Sequence, residues 1–356
     1  MEPIFNAYKM RYVDINRSMD VVMRNHNIRQ IGIYIDLDSI LQHLHNKEAN
    51  RVLQVAGKNG ARHIVSHIMN IAAHYRNWAI KERTSPIVVL HYTNAKKVFK
   101  NSMYVEKYRE RYMDLFSESN SKFYFVNTLL QDIYPMLHLL AKYIPNVYVI
   151  NSKYLEPSII PLYLMQNRFK CDWNVVVSRD FYALQYAFED KCTVIAPKAN
   201  NRSTVIDNRN FWLYVNEKVK AFKDHSVQTF YDPQVYIYVL GLIGDKYRSI
   251  PNLNKTSWKE MFKLMNEAID SEPSGLLELQ LQRIKEYMTK KGVNMAYYEN
   301  NINCIDIQRQ VDTLLETDKA MIDNQIEDMI DYSALQRVNN EAFPDCPLNL
   351  DFLCKR

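Results

Sequence analysis

The chain alternates short, β-branched apolar runs with longer amphipathic stretches, a rhythm that predicts strands separated by helices. The first run opens Ile31–Leu41 (IGIYIDLDSIL), where Ile31, Ile33 and Ile35 interleave with Gly32 and Tyr34 as in a buried strand. Leu37–His45 then reads as a helix start. Asp36 is thereby set at the C-terminal edge of the strand, where open α/β sheets place their ligands. Ile87–Tyr92 (IVVLHY), Phe123–Val126, Val147–Ile150, Trp173–Ser178 (WNVVVS) and Cys192–Ala196 are the further strands. Arg51–Lys81, Tyr134–Tyr143, Ser158–Arg168 and Phe181–Phe188 carry helical patterns between them. This spacing implies an α/β protein with a mostly parallel, twisted sheet and helices on both faces.

The ends and the second half read differently. Residues 1–30 form an amphipathic arm, helical around Val13–Arg24, ahead of an α/β domain at 31–200 that ends in a polar link, Asn200–Asn210. From about residue 231 the strand signals stop. Pro233–Ile243, Ser257–Ile269, Leu276–Lys290 and Ile307–Ile330 read as helices, making 201–330 a helical region. The Pro-punctuated stretch 331–356 reads as an extended C-terminal tail.

Composition narrows the function classes. With 47% hydrophobic and 24% charged residues the chain is an ordinary globular protein, and a net charge of +5 declares no strong basic field. Only 7 glycines are present, and neither GxGxxG nor a Walker pattern occurs, which argues against phosphate-cradling loops. Cys171, Cys192, Cys304, Cys346 and Cys354 lie far apart without a CxxC pair, the pattern of reduced thiols and not of disulfides or zinc. His63 and His67 stand four apart on an expected helix, but no third ligand is nearby and a helix-surface or core role is favoured. No run approaches about 18 apolar residues and MEPIFNAYKM lacks a signal-peptide core, so neither membrane nor export is expected.

Several residues carry candidate chemistry. Asp36 at a strand-to-helix turn can hold a divalent cation, or this segment can simply cap the helix through Asp38 and Ser39. Lys96, Lys97, Lys100, Lys107, Arg109 and Arg111 interleave with Phe99, Tyr104, Tyr108 and Tyr112. Such a segment suits nucleic acid, with cations on phosphates and rings on unpaired bases; it equally suits an amphipathic helix with its tyrosines packed inward. The acidic stretch Glu316–Asp331 reads as a solvated helix face or a surface for a basic partner. Ser178 and Cys192 lack any patterned activating base and are rejected as nucleophiles.

Three stretches, in order, resemble the 5′-nuclease superfamily of flap endonucleases, 5′–3′ exonucleases and, more distantly, PIN domains. They are the opening strand with Asp36, then Trp173–Phe188 (WNVVVSRDFYALQYAF), then Leu240–Leu253 (LGLIGDKYRSIPNL), the last similar to the family's "GDxSDNIPG" segment. Tyr104–Tyr112 (YVEKYRERY) is a weaker fourth, like the arch segment "YKxxR". The resemblance implies a site of about six to eight carboxylates around two divalent ions that activate water and steady an in-line phosphodiester displacement.

Against that pattern the carboxylates are depleted. Asp36 matches the first ligand, but the second strand ends in His91-Tyr92-Thr93 where the family carries Asp. In Leu155–Leu162 only Glu156 survives of "EADD", and Ser178-Arg179-Asp180 keeps the second aspartate of a pair. Asp245 is kept, whereas Tyr247 and Arg248 replace Ser-Asp, so Arg248 puts a positive charge where a cation belonged. The glycine-rich hairpin expected after Pro251 is Asn252-Leu253-Asn254-Lys255, without glycine's freedom at positive φ. Asp36, Glu156 and Asp180, with Asp38, are the remaining candidate ligands for Mg²⁺ or Mn²⁺. The resemblance therefore implies a catalytically degenerate nuclease fold without cofactor, serving as a structural or assembly component beside other protein subunits. A phage particle, at its portal or tail connection, is the setting expected, in the cytoplasm or the virion, with DNA as a further partner. The alternatives are a metal-dependent nuclease on flapped or single-stranded DNA or RNA, holding its metal on Asp36, Glu156 and Asp180, and a DNA-binding factor that does not cleave.

Overall fold

A computed structural model describes residues 28–37, 58–92, 133–153, 155–197, 203–207, 210–221, 232–245, 248, 250–269, 276–327, 331–342 and 348–354. Six strands form one sheet: β1 (Gln30–Asp36), β2 (Ser85–Tyr92), β3 (Val147–Asn151), β4 (Trp173–Val177), β5 (Cys192–Pro197) and β6 (Ser203–Ile206). Their order is β3-β2-β1-β4-β5-β6, and every pairing is parallel except the last. The first strand is thus central, flanked by β2 and β4. The chain builds outward to one side through β2 and β3, then crosses to the other side at β4. That reversal opens a crevice at the C-terminal ends of β1 and β4. Asp172, just before β4, fixes the other end of this pair: its Oδ2 accepts the Arg29 and Gln30 N–H groups, each at 2.9 Å.

Alternation along the strands divides the core between the two faces. Ile31, Ile33, Ile35, Val88 and Leu90 pack against the helix Lys58–Lys81, while Tyr34, Val89, Ile150 and Val176 pack on the opposite side. That second core continues without a break into Trp212, Tyr236, Phe262, Ile284 and Ile302 of the helices that follow the sheet. The helical region accordingly shares its apolar interior with the α/β part.

Some elements depart from the sequence expectations. Ser203–Ile206, expected within a polar link, is β6; its β-branched residues pair antiparallel with β5, and Ile206 is buried. Phe211–Val219 and Met295–Ile305 are additional helices, the latter capped by Asn294 Oδ1, which accepts from the N–H groups of Ala296 and Tyr297. The single helix expected over Ile307–Ile330 is broken into Ile307–Asp312 and Glu316–Asp323, because Asp318 Oδ2 accepts the Leu315 N–H and starts a new helix there. Phe181–Phe188 contains a 3₁₀-helix, Tyr182–Phe188. Asn254 and Lys255 adopt φ of 53° and 56°, so the turn after Pro251 reaches the left-handed region without glycine, at a cost of about 1–2 kcal/mol per residue. The Phe123–Val126 strand and the arm at 1–27 lie outside the described residues.

The C-terminal stretch is not extended where it is described. Tyr332–Ala342 is a helix and Leu350–Leu353 a helical turn. Leu335, Leu348 and Leu353 are buried in the same core as the helix Lys58–Lys81. Asn339 pins the return: its amide donates to the Leu348 carbonyl at 3.1 Å and accepts the Leu348 N–H at 2.8 Å. Apolar burial outweighed the Pro punctuation read from sequence. Replacing fully buried Leu335 by Ala is expected to destabilise the protein by about 2–5 kcal/mol in urea unfolding, where a loose tail would give no change.

Candidate functional site

The crevice at the C-terminal ends of β1 and β4 gathers the acidic residues. Asp36 ends β1 and is buried; Ser178 follows β4 and donates from Oγ to Asp36 Oδ2 at 2.7 Å. The same Oγ accepts the Asp180 N–H at 3.0 Å, and Asp180 Oδ1 accepts the Tyr182 N–H at 3.1 Å at the start of the 3₁₀-helix. Ser178, standing where the family pattern has an aspartate, therefore links the two aspartates that remain. Glu156 arrives from the loop after β3, ahead of the short 3₁₀-helix Pro157–Ile159, and its Oε1 accepts the Ser158 hydroxyl at 3.1 Å.

At the centre lies the guanidinium of Arg248. Its Nε donates to Glu156 Oε2 at 3.1 Å and its Nη2 to Glu156 Oε1 at 2.9 Å, a fork on one carboxylate. Nη1 reaches Asp180 Oδ1 at 3.3 Å and Asp245 Oδ2 at 2.9 Å, and Nη2 also donates to Asp180 Oδ2. The Tyr182 ring lies beneath, 4.0 Å from the guanidinium carbon. Backbone geometry aims this side chain. Asp245 and Ile250 exchange N–H···O bonds of 3.0 and 2.9 Å, closing the loop that carries Arg248. Gly244, with φ of 70°, permits the turn out of the helix Val235–Ile243; a Cβ there would stand 2.4 Å from the Pro251 carbonyl oxygen.

Electrostatics follow from burial. Desolvation works against the charge of Arg248, yet Asp180 and Glu156 hold its pKa well above the ordinary guanidinium value. Burial pushes the Glu156 carboxyl up, against the pull of the fork from Arg248. His91, opposite Asp36 in the β1–β2 register, is 2% exposed, and neither ring nitrogen has a hydrogen-bond partner among the described residues. Burial lowers its pKa in spite of nearby Asp36 and Asp180, so the imidazole is held toward its neutral form.

The structure thus brings Glu156 and Asp180 onto one cation and ties Asp36 to them through Ser178. Asp245 and Tyr182 belong to the cluster but were not among the sequence candidates; the sign available was Asp245 within LGLIGDKYRSIPNL, three residues from Arg248. Among the described residues no group of three His, Cys, Asp or Glu side chains stands close enough together to hold a metal ion. A divalent ion does not fit this arrangement, since the carboxylates splay around a planar cation that needs oxygens at about 2.9 Å instead of about 2.0–2.6 Å. Asp38, the side chains of His63 and His67, and Lys96, Lys97, Lys100, Lys107, Arg109 and Arg111 lie outside the described residues. In the acidic stretch, Asp323 is engaged by Arg168 and by the Tyr163 hydroxyl, a packing role. Burial raises the Cys192 thiol well above its usual range, which keeps it protonated and poorly nucleophilic.

Neither a family model nor a curated protein matches the chain. Two solved structures are similar to it, both from bacteriophage T5. One is a pseudo-enzyme variant of the flap endonuclease in complex with product DNA and metal ions: 14% identity, TM-score 0.49, covering 83% of this chain and 96% of that one. The other is a variant of the 5′-exonuclease: 12% identity, TM-score 0.42, covering 84% of this chain and 98% of that one. Both are of the kind that the three sequence stretches resemble. At TM-scores below 0.5 the likeness assigns this chain neither an activity nor a ligand.

Beside the cluster, a cavity of about 750 Å³ opens at the ends of β2 and β3, lined by Tyr92, Tyr134, His138, Asn151 and Met321 among others. The Tyr92 and Tyr134 rings stack at 3.6 Å, and the Tyr92 hydroxyl lies 3.0 Å from His138 Nε2. Burial, with help from Lys142, lowers the His138 pKa to about 4. An NMR titration is expected to place the His138 midpoint near that value. The unfolded chain takes this proton at about pH 6.5, so the group weakens the fold as pH falls from there toward about 4 and has no effect above it. His138→Phe should remove that part of the acid sensitivity in pH-dependent unfolding.

Proposed function

We propose that this chain is a nuclease-fold protein that does not cleave phosphodiesters and serves as a structural or assembly component near nucleic acid. One observation carries the reading: the Arg248 guanidinium occupies the middle of the carboxylates that a hydrolytic metal would require. Metal-assisted hydrolysis needs an ion that acidifies bound water and neutralises the charge developing on phosphate oxygens. A guanidinium holds its protons throughout the physiological range and, with its donors committed to Glu156, Asp180 and Asp245, supplies neither function. The phage setting and the subunit partners come from the family that the sequence resembles, in which a retained scaffold without its chemistry suits an assembly role.

The test is cleavage of a labelled flap and a single-stranded substrate in Mn²⁺ by the wild type and by the double variant Asp36→Ala/Asp180→Ala. No cutting by either is expected. Wild-type cutting that the double variant loses would overturn the reading and restore a metal nuclease.

The basic–aromatic segment favours DNA as a partner without cleavage. Replacing Lys107, Arg109 and Arg111 together by Ala is expected to weaken single-stranded DNA binding uniformly across sequences. The slope of log K against log salt should fall by about 3, or roughly one per lost phosphate contact. An unchanged slope would remove this segment from any nucleic-acid interface.

A further inference from the structure

We infer that Arg248 is the built-in counterion of the cluster, interchangeable with a divalent cation, so that losing it turns the fold into a cation-dependent one. The inference rests on the non-cleaving reading of the same site and concerns what holds that site together.

Every N–H of the guanidinium is committed to a carboxylate: Nε to Glu156, Nη1 to Asp180 and Asp245, and Nη2 to Glu156 and Asp180. The three acids come from distant elements: the loop after β3, the segment after β4, and the turn after the helix Val235–Ile243. Their side chains are between 1% and 20% exposed, too dry for water to screen their mutual repulsion. Three carboxylates and one guanidinium sum to −2 when all are ionised, and burial moves Glu156 toward taking a proton, which lessens that excess. Without the guanidinium the sum is −3. The oxygens left facing one another are hard donors from three carboxylates, the set that Mg²⁺ and Mn²⁺ prefer. Closing on an ion requires the acids to move inward from hydrogen-bond to coordination distances, so ion and guanidinium exclude each other. The closed loop and the Tyr182 ring hold the guanidinium in place, which makes the internal cation the standing occupant.

The test compares thermal unfolding of the full chain with and without millimolar MnCl₂ or MgCl₂, with Mn²⁺ uptake followed by calorimetry. Wild type should bind no Mn²⁺ at the cluster and keep its midpoint. Arg248→Ser should melt several degrees lower and regain most of that loss in Mn²⁺, and Glu156→Gln added to it should abolish the regain. If Arg248→Ser folds only when refolded with Mn²⁺, the inference holds in stronger form. Arg248→Lys, which keeps the charge and loses the fork, should fall between, with a smaller Mn²⁺ effect. Arg248→Ser and Arg248→Lys both insensitive to Mn²⁺, or wild type taking up Mn²⁺ with an equal gain, would overturn it. Cleavage by the wild type would sink the non-cleaving reading through a separate assay, and no substrate enters this one.

Discussion

The guanidinium of Arg248 among Glu156, Asp180 and Asp245 is the interaction on which the arrangement of this protein depends. Carboxylates held close in a half-dry crevice repel strongly, and leaving one such charge uncompensated costs about 3–5 kcal/mol. Forming the contact requires the loop after β3, the segment after β4 and the turn after Val235–Ile243 to meet at one point. The cluster is therefore a staple between the sheet and the helical region as well as the chemical centre of the crevice.

The sheet decides where that staple is placed. Because β1 is central and the chain reverses direction across it, the ends of β1 and β4 face the same opening. Asp36 and Ser178 sit one after the other along that opening, and the serine hydroxyl bridges two carboxylates by donating to Asp36 and accepting from the Asp180 backbone. A short neutral hydroxyl in that position lowers the local charge by one relative to an aspartate pair. Arg248 then supplies a positive charge from the opposite wall. The two changes act in the same direction: both remove the electrostatic need for bound metal.

Apolar packing fixes the rest around this point. The core under Tyr34 runs from the sheet into Trp212, Tyr236 and Phe262, so the wall that carries Arg248 is held by the same interior as the wall that carries Asp180. On the other face, the helix Lys58–Lys81 is covered by the C-terminal residues Leu335, Leu348 and Leu353. The end of the chain thereby belongs to the layer that supports β1 from behind.

The α/β class, the C-terminal position of Asp36 on β1 and the loss of most family carboxylates were legible in the sequence, because each depends on local periodicity or on the residue standing at one position. The positive charge of Arg248 was legible in the same way. Other features were decided by tertiary structure. The break at Leu315 depended on a side-chain acceptor, Asp318, winning over continued helical periodicity. The burial of the C-terminal leucines depended on an apolar face of Lys58–Lys81 that no local pattern assigns to them. Above all, the engagement of one guanidinium by Glu156, Asp180 and Asp245 joins positions up to 92 residues apart. Sequence fixes which charges exist; which of them meet is set by a strand order and a shared core, which act over distances that local patterning does not reach.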